Sequence, residues 1–431
     1  MPSPTFLEER RKAALEVFER EPLPTWRRSG FWTTSLRKLR LDELEPRRYD
    51  PVSSLDELNP VVSEALRDEE LAGLIVQRGA STVYTQLDPA AAEQGVMVMS
   101  LEQALEEHPD LVERWYMKRL SENEGKFPAA SAAFWTGGAF VYVPRDVVVD
   151  KPIQVVWLID EAGTAQYAHT LGIVEDGSKA YIREYNLAPD FEGQALHAGG
   201  FELYCRPSSN VKLAHLQDWG SGEVHDISTK RVEIAADAHC GWVPAVLGGH
   251  LTKQTLDIVT HERGSDMRQN GLYFTEGNEH LDIFTTDLHE AGDTTGDTVW
   301  KGALTGESRA SYEGLIEIVF GAQNSHTYLQ THSMLLSPKA KADSIPSLIV
   351  KTDNVSASHG GTVGEVDEEQ VFYMMTRGLH RLEAVRILVE GYFEEVIQKL
   401  EDDRLEEVVR ERIAGKLTEA AEQVEDYIAQ R

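Results

Sequence analysis

Histidine is the residue type whose placement could do chemistry. The chain has 14 histidines, and 12 of them lie between His169 and His359. Neutral imidazole is a ligand for borderline metals, iron included. Most of these rings should be ordinary strand residues bonded to neighbours or water. His326 and His332 flank Thr327 to Thr331, close in sequence to His359. His359 stands apart. It sits in Val355-Ser356-Ala357-Ser358-His359-Gly360-Gly361-Thr362-Val363-Gly364, where small polar neighbours leave room around the ring. The run reads as a polar Ser-His-Gly-Gly turn that closes a β-rich stretch and leads into a helix. His359 is therefore the candidate metal ligand. The two cysteines, Cys205 and Cys240, cannot make a disulfide framework and match no zinc spacing. Both lie in β-like sequence, and buried, inert thiols are the expectation.

Other chemistry is missing from the sequence. It has no Walker A loop (G-x-x-x-x-G-K-S/T), so no ATP site is expected in this chain. It has no G-x-G-x-x-G dinucleotide turn, no G-x-S-x-G elbow and no H-E-x-x-H. The formal charge of -30 repels nucleic acid and anionic membranes, so neither is an expected partner. No run approaches the ~18 apolar residues of a membrane span. The first twenty residues are charged from Glu8 onward and lack an apolar signal region. The cytoplasm is the expected location.

Three zones must position these residues. Residues 1–150 are mixed and mostly helical. Helical spacing marks Phe6 to Phe18, Leu55 to Leu71 and Leu101 to Leu120, with a short hairpin around Gly79. Residues 151–358 are dense in Val, Ile, Thr, His and Gly, without helical period. An apolar–charged–apolar triplet recurs there: Val211-Lys212-Leu213, Val232-Glu233-Ile234, Leu256-Asp257-Ile258, Leu281-Asp282-Ile283 and Ile316-Glu317-Ile318. The starts are 21, 24, 25 and 35 residues apart. Alternation sends both apolar side chains to one face and the charge to the other. Repetition at that period predicts a β-solenoid in preference to a sandwich, whose turns recur about every 8–12 residues. Residues 359–431 return to helix. Asp367 with Gln370 predicts a capped start, and Gly378 ends that helix. A second helix is expected over about His380 to Leu400, with further charged helical segments to Arg431. The helical zones on both flanks are expected to cover the ends of the solenoid.

Three ordered blocks carry a family resemblance. The first is Trp300-Lys301-Gly302-Ala303-Leu304-Thr305-Gly306 with Ala310 and Glu313-Gly314-Leu315-Ile316. The second is Ser333-Met334-Leu335-Leu336-Ser337 with Ala340, Ala342-Asp343 and Ile345-Pro346. The third is the Ser-His-Gly run with Phe372-Tyr373 and Arg377-Gly378. A weaker segment holds Trp26, Trp32, Ser35-Leu36 and Leu41-Asp42. Together they resemble the SufB/SufD family of iron–sulfur cluster assembly scaffolds. SufB carries a cysteine two residues before the Ser-Met-Leu block, where this chain has Thr331. SufB also tends to have Glu-His-Glu where this chain has Ser358-His359-Gly360. Both departures point to the SufD-like branch. Ala357 stands where many SufD-like relatives have a cysteine, so that thiol's role does not carry over.

The resemblance implies a right-handed parallel β-helix between N-terminal and C-terminal helical domains. It implies a non-catalytic subunit that pairs with a SufB-like paralogue through the β-helix. It also implies that the helices bearing Phe372, Tyr373, Arg377 and Gly378 dock a SufC-like ABC ATPase. His359 would then contribute to a transient iron or iron–sulfur site at the SufB interface. The resemblance leaves flavin binding open and allows a homodimer of the isolated chain. Two alternatives remain: a SufB-like scaffold competent alone, and a β-helix carbohydrate-active enzyme.

Overall fold

A computed structural model describes residues 5–28, 32–67 and 69–419 of the chain. Two sheets face each other across a common lumen. One has nine strands, running in space from Lys341–Val350 back through the alternate coils to Met97–Met99. The other has ten, from Ser356–Glu365 back to the hairpin Gly73–Arg78/Ser81–Leu87. Every coil-to-coil pairing is parallel, for example Glu223–Ile234 on Gln194–Cys205 and His326–Leu335 on Thr295–Leu304. Lys179, Asn210, His239, Asp266, Thr295, His326 and Ser356 stack in one column. A coil therefore takes roughly 30 residues, and the fold is the expected mainly-β solenoid. Its sheets begin before residue 151 and end after residue 358.

The alternation anticipated from the triplets holds. Val232, Ile234, Leu256, Ile258, Leu281, Ile283, Ile316 and Ile318 all enter one buried cluster that fills the lumen. Their register differs from a simple stack of triplets. Val211-Lys212-Leu213 belongs to the ten-stranded sheet and the other four to the nine-stranded one. Val232 lies beside Ile258, not Leu256. Parity is local, whereas register is set by corner lengths that a three-residue motif does not sense.

The lumen also holds polar groups. Glu184 accepts from Lys230 Nζ (2.6 Å) and the Thr170 hydroxyl (2.7 Å). Burial alone would raise the Glu184 carboxyl, but the Lys230 charge and His215 hold it well below the usual range. Nearer the C-terminal end, Asp287 accepts from the Thr298 hydroxyl at 2.8 Å, and burial pushes its carboxyl up to about 7.

The helices lie against the sheets. Thr5–Arg20 and Lys126–Phe134 cover the early part of the nine-stranded sheet's outer face. The expected helix over Leu101 to Leu120 is split at Pro109 into Leu101–Glu107 and Pro109–Trp115. Over Leu55 to Leu71, only Leu55–Glu57 and Pro60–Ala65 are helical among the described residues. The C-terminal helices Arg381–Ile397 and Asp403–Glu419 pack on the outer face of the ten-stranded sheet. There Val385, Val389, Phe393 and Val409 join Val243, Leu272, Phe274 and Ala303 in a second core. Ion pairs tie them down: Lys301 to Glu395 (2.6 Å), Arg183 to Asp402 (3.0 Å), Arg412 to Asp218 (2.9 Å) and Lys416 to Glu276. The helical segments expected beyond Glu419 fall on residues 420–431, outside the described residues. The expected covering of the solenoid's C-terminal end is corrected: these helices lie along its flank and leave the last coil open.

Candidate functional site

The strands Lys341–Val350 and Ser356–Glu365 are last in their sheets, each paired on one side only among the described residues. Pro346 is tolerated within the first because that strand is an edge. Parity sends Ala342, Ser344, Pro346, Leu348 and Val350 inward from one strand, and Ala357, His359, Gly361 and Val363 from the other. Ala342 and Ala357 accordingly pack on the lumen core. The core's cross-section is left visible. Leu348 and Val350 are 38% and 40% exposed, whereas Ile316 and Ile318, their stacked neighbours one coil back, are 0% exposed. Val363 is 43% exposed.

His359 stands at this mouth. The Ser-His-Gly-Gly run is not a turn, which corrects the reading from sequence. It is the middle of an extended ten-residue strand, and the corner lies earlier, around Asn354 at φ 58°. The glycines mimic a turn signal, but Gly361 is there for close approach: a Cβ on it would lie 2.5 Å from Ser344 Oγ. His359 pairs in register with lumen-facing Leu329 and is exposed, because no further coil stacks on it among the described residues.

The other two neighbouring histidines are not gathered with it. His326 and His332 share the opposite parity and point outward. His332 Nδ1 lies 2.8 Å from Thr362 Oγ1 and its Nε2 lies 3.2 Å from Gln330 Oε1. Its carbonyl accepts from the Tyr392 hydroxyl at 2.7 Å, tying the strand to the helix Arg381–Ile397. Burial, then the Lys301 charge, lower the His332 ring. Among the described residues, no group of three or more His, Cys, Asp or Glu side chains could hold a metal. Imidazole at this mouth can donate one lone pair to a metal.

Thr331 is buried (0%), faces the lumen and stacks directly under Gly361. Cys205 and Cys240 are buried in the lumen several coils away. The hydrogen bond to Cys240, then burial, push the Cys205 thiol well above its ordinary value, so it stays a protonated thiol.

The strand bearing His359 ends at Glu365, and after Val366 Asp367 caps the helix Glu368–Thr376 by accepting from Glu369 N at 2.9 Å. Val371 is that helix's buried anchor. Phe372 and Tyr373 face away from it, 67% and 59% exposed, and Met375 and Ile387 are exposed nearby. The Arg377 guanidinium lies 5.1 Å over the Tyr373 ring and donates to its hydroxyl at 3.1 Å. Gly378 ends the helix at φ 97°, a conformation that favours glycine. Val371 and Phe372 are adjacent on this helix but lie on opposite sides of it, one buried and one exposed. Ser344 escaped the sequence reading altogether. The only signal for it was its parity within a strand whose register was not yet known.

A parallel solenoid with flanking helices and one uncapped coil is a build suited to stacking on another protein. The family described as SUF system FeS cluster assembly, SufBD core domain, matches residues 157–392, and the SufBD protein N-terminal region matches residues 73–155. The chain belongs to the SufBD family of iron–sulfur cluster assembly. Its relatives include iron–sulfur cluster assembly SufBD family proteins of Staphylococcus haemolyticus, Staphylococcus epidermidis and Staphylococcus aureus. Each is 26% identical over 411 residues, spanning 92% of this chain and 86% of the relative.

Proposed function

We propose that this chain is the SufD-like, non-catalytic subunit of a cytoplasmic SufBCD-type scaffold. Its open terminal coil stacks on the matching coil of a cysteine-bearing SufB-like sister. The observation that carries the reading is the uncapped lumen: three apolar side chains and two strand edges stand exposed where the fold calls for another coil. A second β-helix of the same build supplies one. Thr331, where SufB has its cysteine, favours this role over a scaffold competent alone, since a hydroxyl cannot replace a thiolate.

At the junction, His359 contributes an imidazole to iron or a nascent cluster, with thiolate from the sister. Iron here is cargo. An imidazole in place of a thiolate makes the site less negative and the cargo easier to release. A SufC-like ATPase docks on the exposed face of Phe372, Tyr373 and Ile387. The ion-paired helices behind that face pass the load to the solenoid, and the short link through Val366 leads to the strand of His359. Two ATPase states with different contacts would shift the junction between two arrangements.

The test is co-purification followed by metal analysis. The tagged chain should bring down an ABC-type ATPase and a cysteine-bearing paralogue. His359→Ala should preserve that assembly while iron or cluster content falls several-fold. Full metal content in the intact variant complex would remove His359 from the site.

A further inference from the structure

The outer face of the nine-stranded sheet carries a cavity of about 660 Å³, whose floor ends one coil short of the open one. Outward side chains of successive strands form that floor, among them Val259, Phe284, Thr286, Leu288 and Leu315. Trp26 and residues 125–128 stand over it as walls. The size is that of a small-molecule site.

Asp257 lines this cavity and is only 7% exposed. Arg231 donates to it twice, from Nε at 2.9 Å and from Nη2, and both bonds land on Oδ2. A guanidinium facing a carboxylate commonly uses both oxygens. Here Oδ1 is buried and has no hydrogen-bond partner among the described residues. A carboxylate can only accept, so the missing partner is a donor. Charge favours a cation. Along this wall Glu124, Glu233, Asp257 and Glu290 face Arg119, Arg206 and Arg231, which leaves one carboxylate in excess with His261 neutral. The cavity's lysines do not make up the difference. Lys126 donates to the carbonyls of Phe18 (2.6 Å) and Glu21 (2.9 Å), Lys253 lies 3.5 Å from Asp282, and Lys118 is exposed.

Glu317 is a second carboxylate on the same floor. Its partner is Lys351 at 2.6 Å, an exposed pair of the kind that holds weakly in water. Asp257 stacks beside Thr286 and Thr286 beside Leu315, and Glu317 lies two residues further along that strand. Two strand spacings and two residues put the carboxylate-bearing Cα atoms about 12 Å apart. That is too far to share one metal ion, whose oxygen ligands lie within about 2.6 Å. Between them the floor is Thr286, Leu288 and Leu315, with no charge. We propose that the cavity binds a linear aliphatic polyamine, with one terminal ammonium on Asp257 Oδ1, the other on Glu317, and the methylenes over Leu288 and Leu315. A triamine of spermidine's length fits, since nine zigzag bonds of about 1.5 Å reach about 11 Å.

The experiment is isothermal titration calorimetry of the full chain at about 0.15 M salt, where attraction to the acidic surface is screened beyond about 8 Å. Spermidine should fill a single site. Butylamine has one ammonium and should bind about tenfold more weakly, the value of one hydrogen bond to a charged group. Glu317→Gln should cost spermidine about tenfold and leave butylamine unchanged. Asp257→Asn should weaken both amines. Thr286→Trp fills the floor without changing charge and should block both. Glu307→Gln removes an exposed carboxylate outside the cavity and should change neither. Melting curves check folding, and if Asp257→Asn unfolds because Arg231 loses a partner, Glu317→Gln and Thr286→Trp still decide. The site is refuted if spermidine shows no saturable binding, if Glu307→Gln weakens it as much as Glu317→Gln does, or if Thr286→Trp binds it as the parent does.

Discussion

Replacing Leu348, Val350 and Val363 together by alanine should weaken association with the sister subunit without unfolding the solenoid. These side chains are 38%, 40% and 43% exposed, while Ile316 and Ile318 one coil back are 0% exposed. Fully burying a leucine or valine side chain is worth ~2 kcal/mol, so the exposed share of each is worth roughly 0.8 kcal/mol. Stacking another coil would recover about 2.5 kcal/mol from the three, which alanine largely forfeits. That is about a 60-fold rise in Kd. Isothermal titration calorimetry against the sister measures it, and sedimentation checks whether self-association of the isolated chain weakens in parallel. Ile349 is the control. It is 42% exposed but has outward parity, so Ile349→Ala should leave Kd close to the parent's. An unchanged Kd in the triple variant, or an equal loss from Ile349→Ala, would refute the claim that the lumen cross-section is the joining surface.

Three further outcomes are expected. Phe372→Ser with Tyr373→Ser should abolish co-purification of the ATPase while sister binding is retained, because both rings face away from the solenoid core. Asp287 has a folded-state carboxyl raised from 3.8 to about 7 by burial, so the unfolded chain loses its proton first and stability falls as pH rises from about 4 through 7. Asp287→Asn should flatten that slope in urea titrations and be the more stable form at pH 8, by on the order of 4 kcal/mol at most. Lys416 is buried (0%) against Glu276 and Glu279, and burial pushes Glu279 up to about 7. Lys416→Met should destabilise docking of the helix Asp403–Glu419 by ~3 kcal/mol, at the low end for a broken buried pair because Glu279 can take up a proton. Limited proteolysis would show earlier cleavage in that helix, and unchanged protection would contradict the assignment.

Much of the fold was legible because its repeat is written in side-chain alternation. The triplets placed Leu281 and Ile283 inside the lumen and Asp282 on the opposite face, as observed, but there Asp282 is buried and accepts from the Thr34 hydroxyl. The hairpin around Gly79 and the Asp367 cap were likewise legible, since a turn and a cap are local. The candidate site was legible only in part. His359 drew notice through its small neighbours, but Gly360-Gly361 suggested a turn where the chain is extended. A glycine's demand for close approach cannot be told from a demand for special φ without knowing what lies opposite.

The sequence by itself determined the in–out parity of the strands, the coil-like repeat and the absence of a nucleotide-binding loop. Each rests on residues a few positions apart, where backbone geometry alone fixes the outcome. Only the tertiary structure decided that the C-terminal helices lie along the flank, that the last coil is open, and that Ser344 and Thr331 meet beneath Gly361. Those facts depend on which strands stack and how far each corner advances the chain, and such long-range packing leaves no periodic trace in the residues that meet.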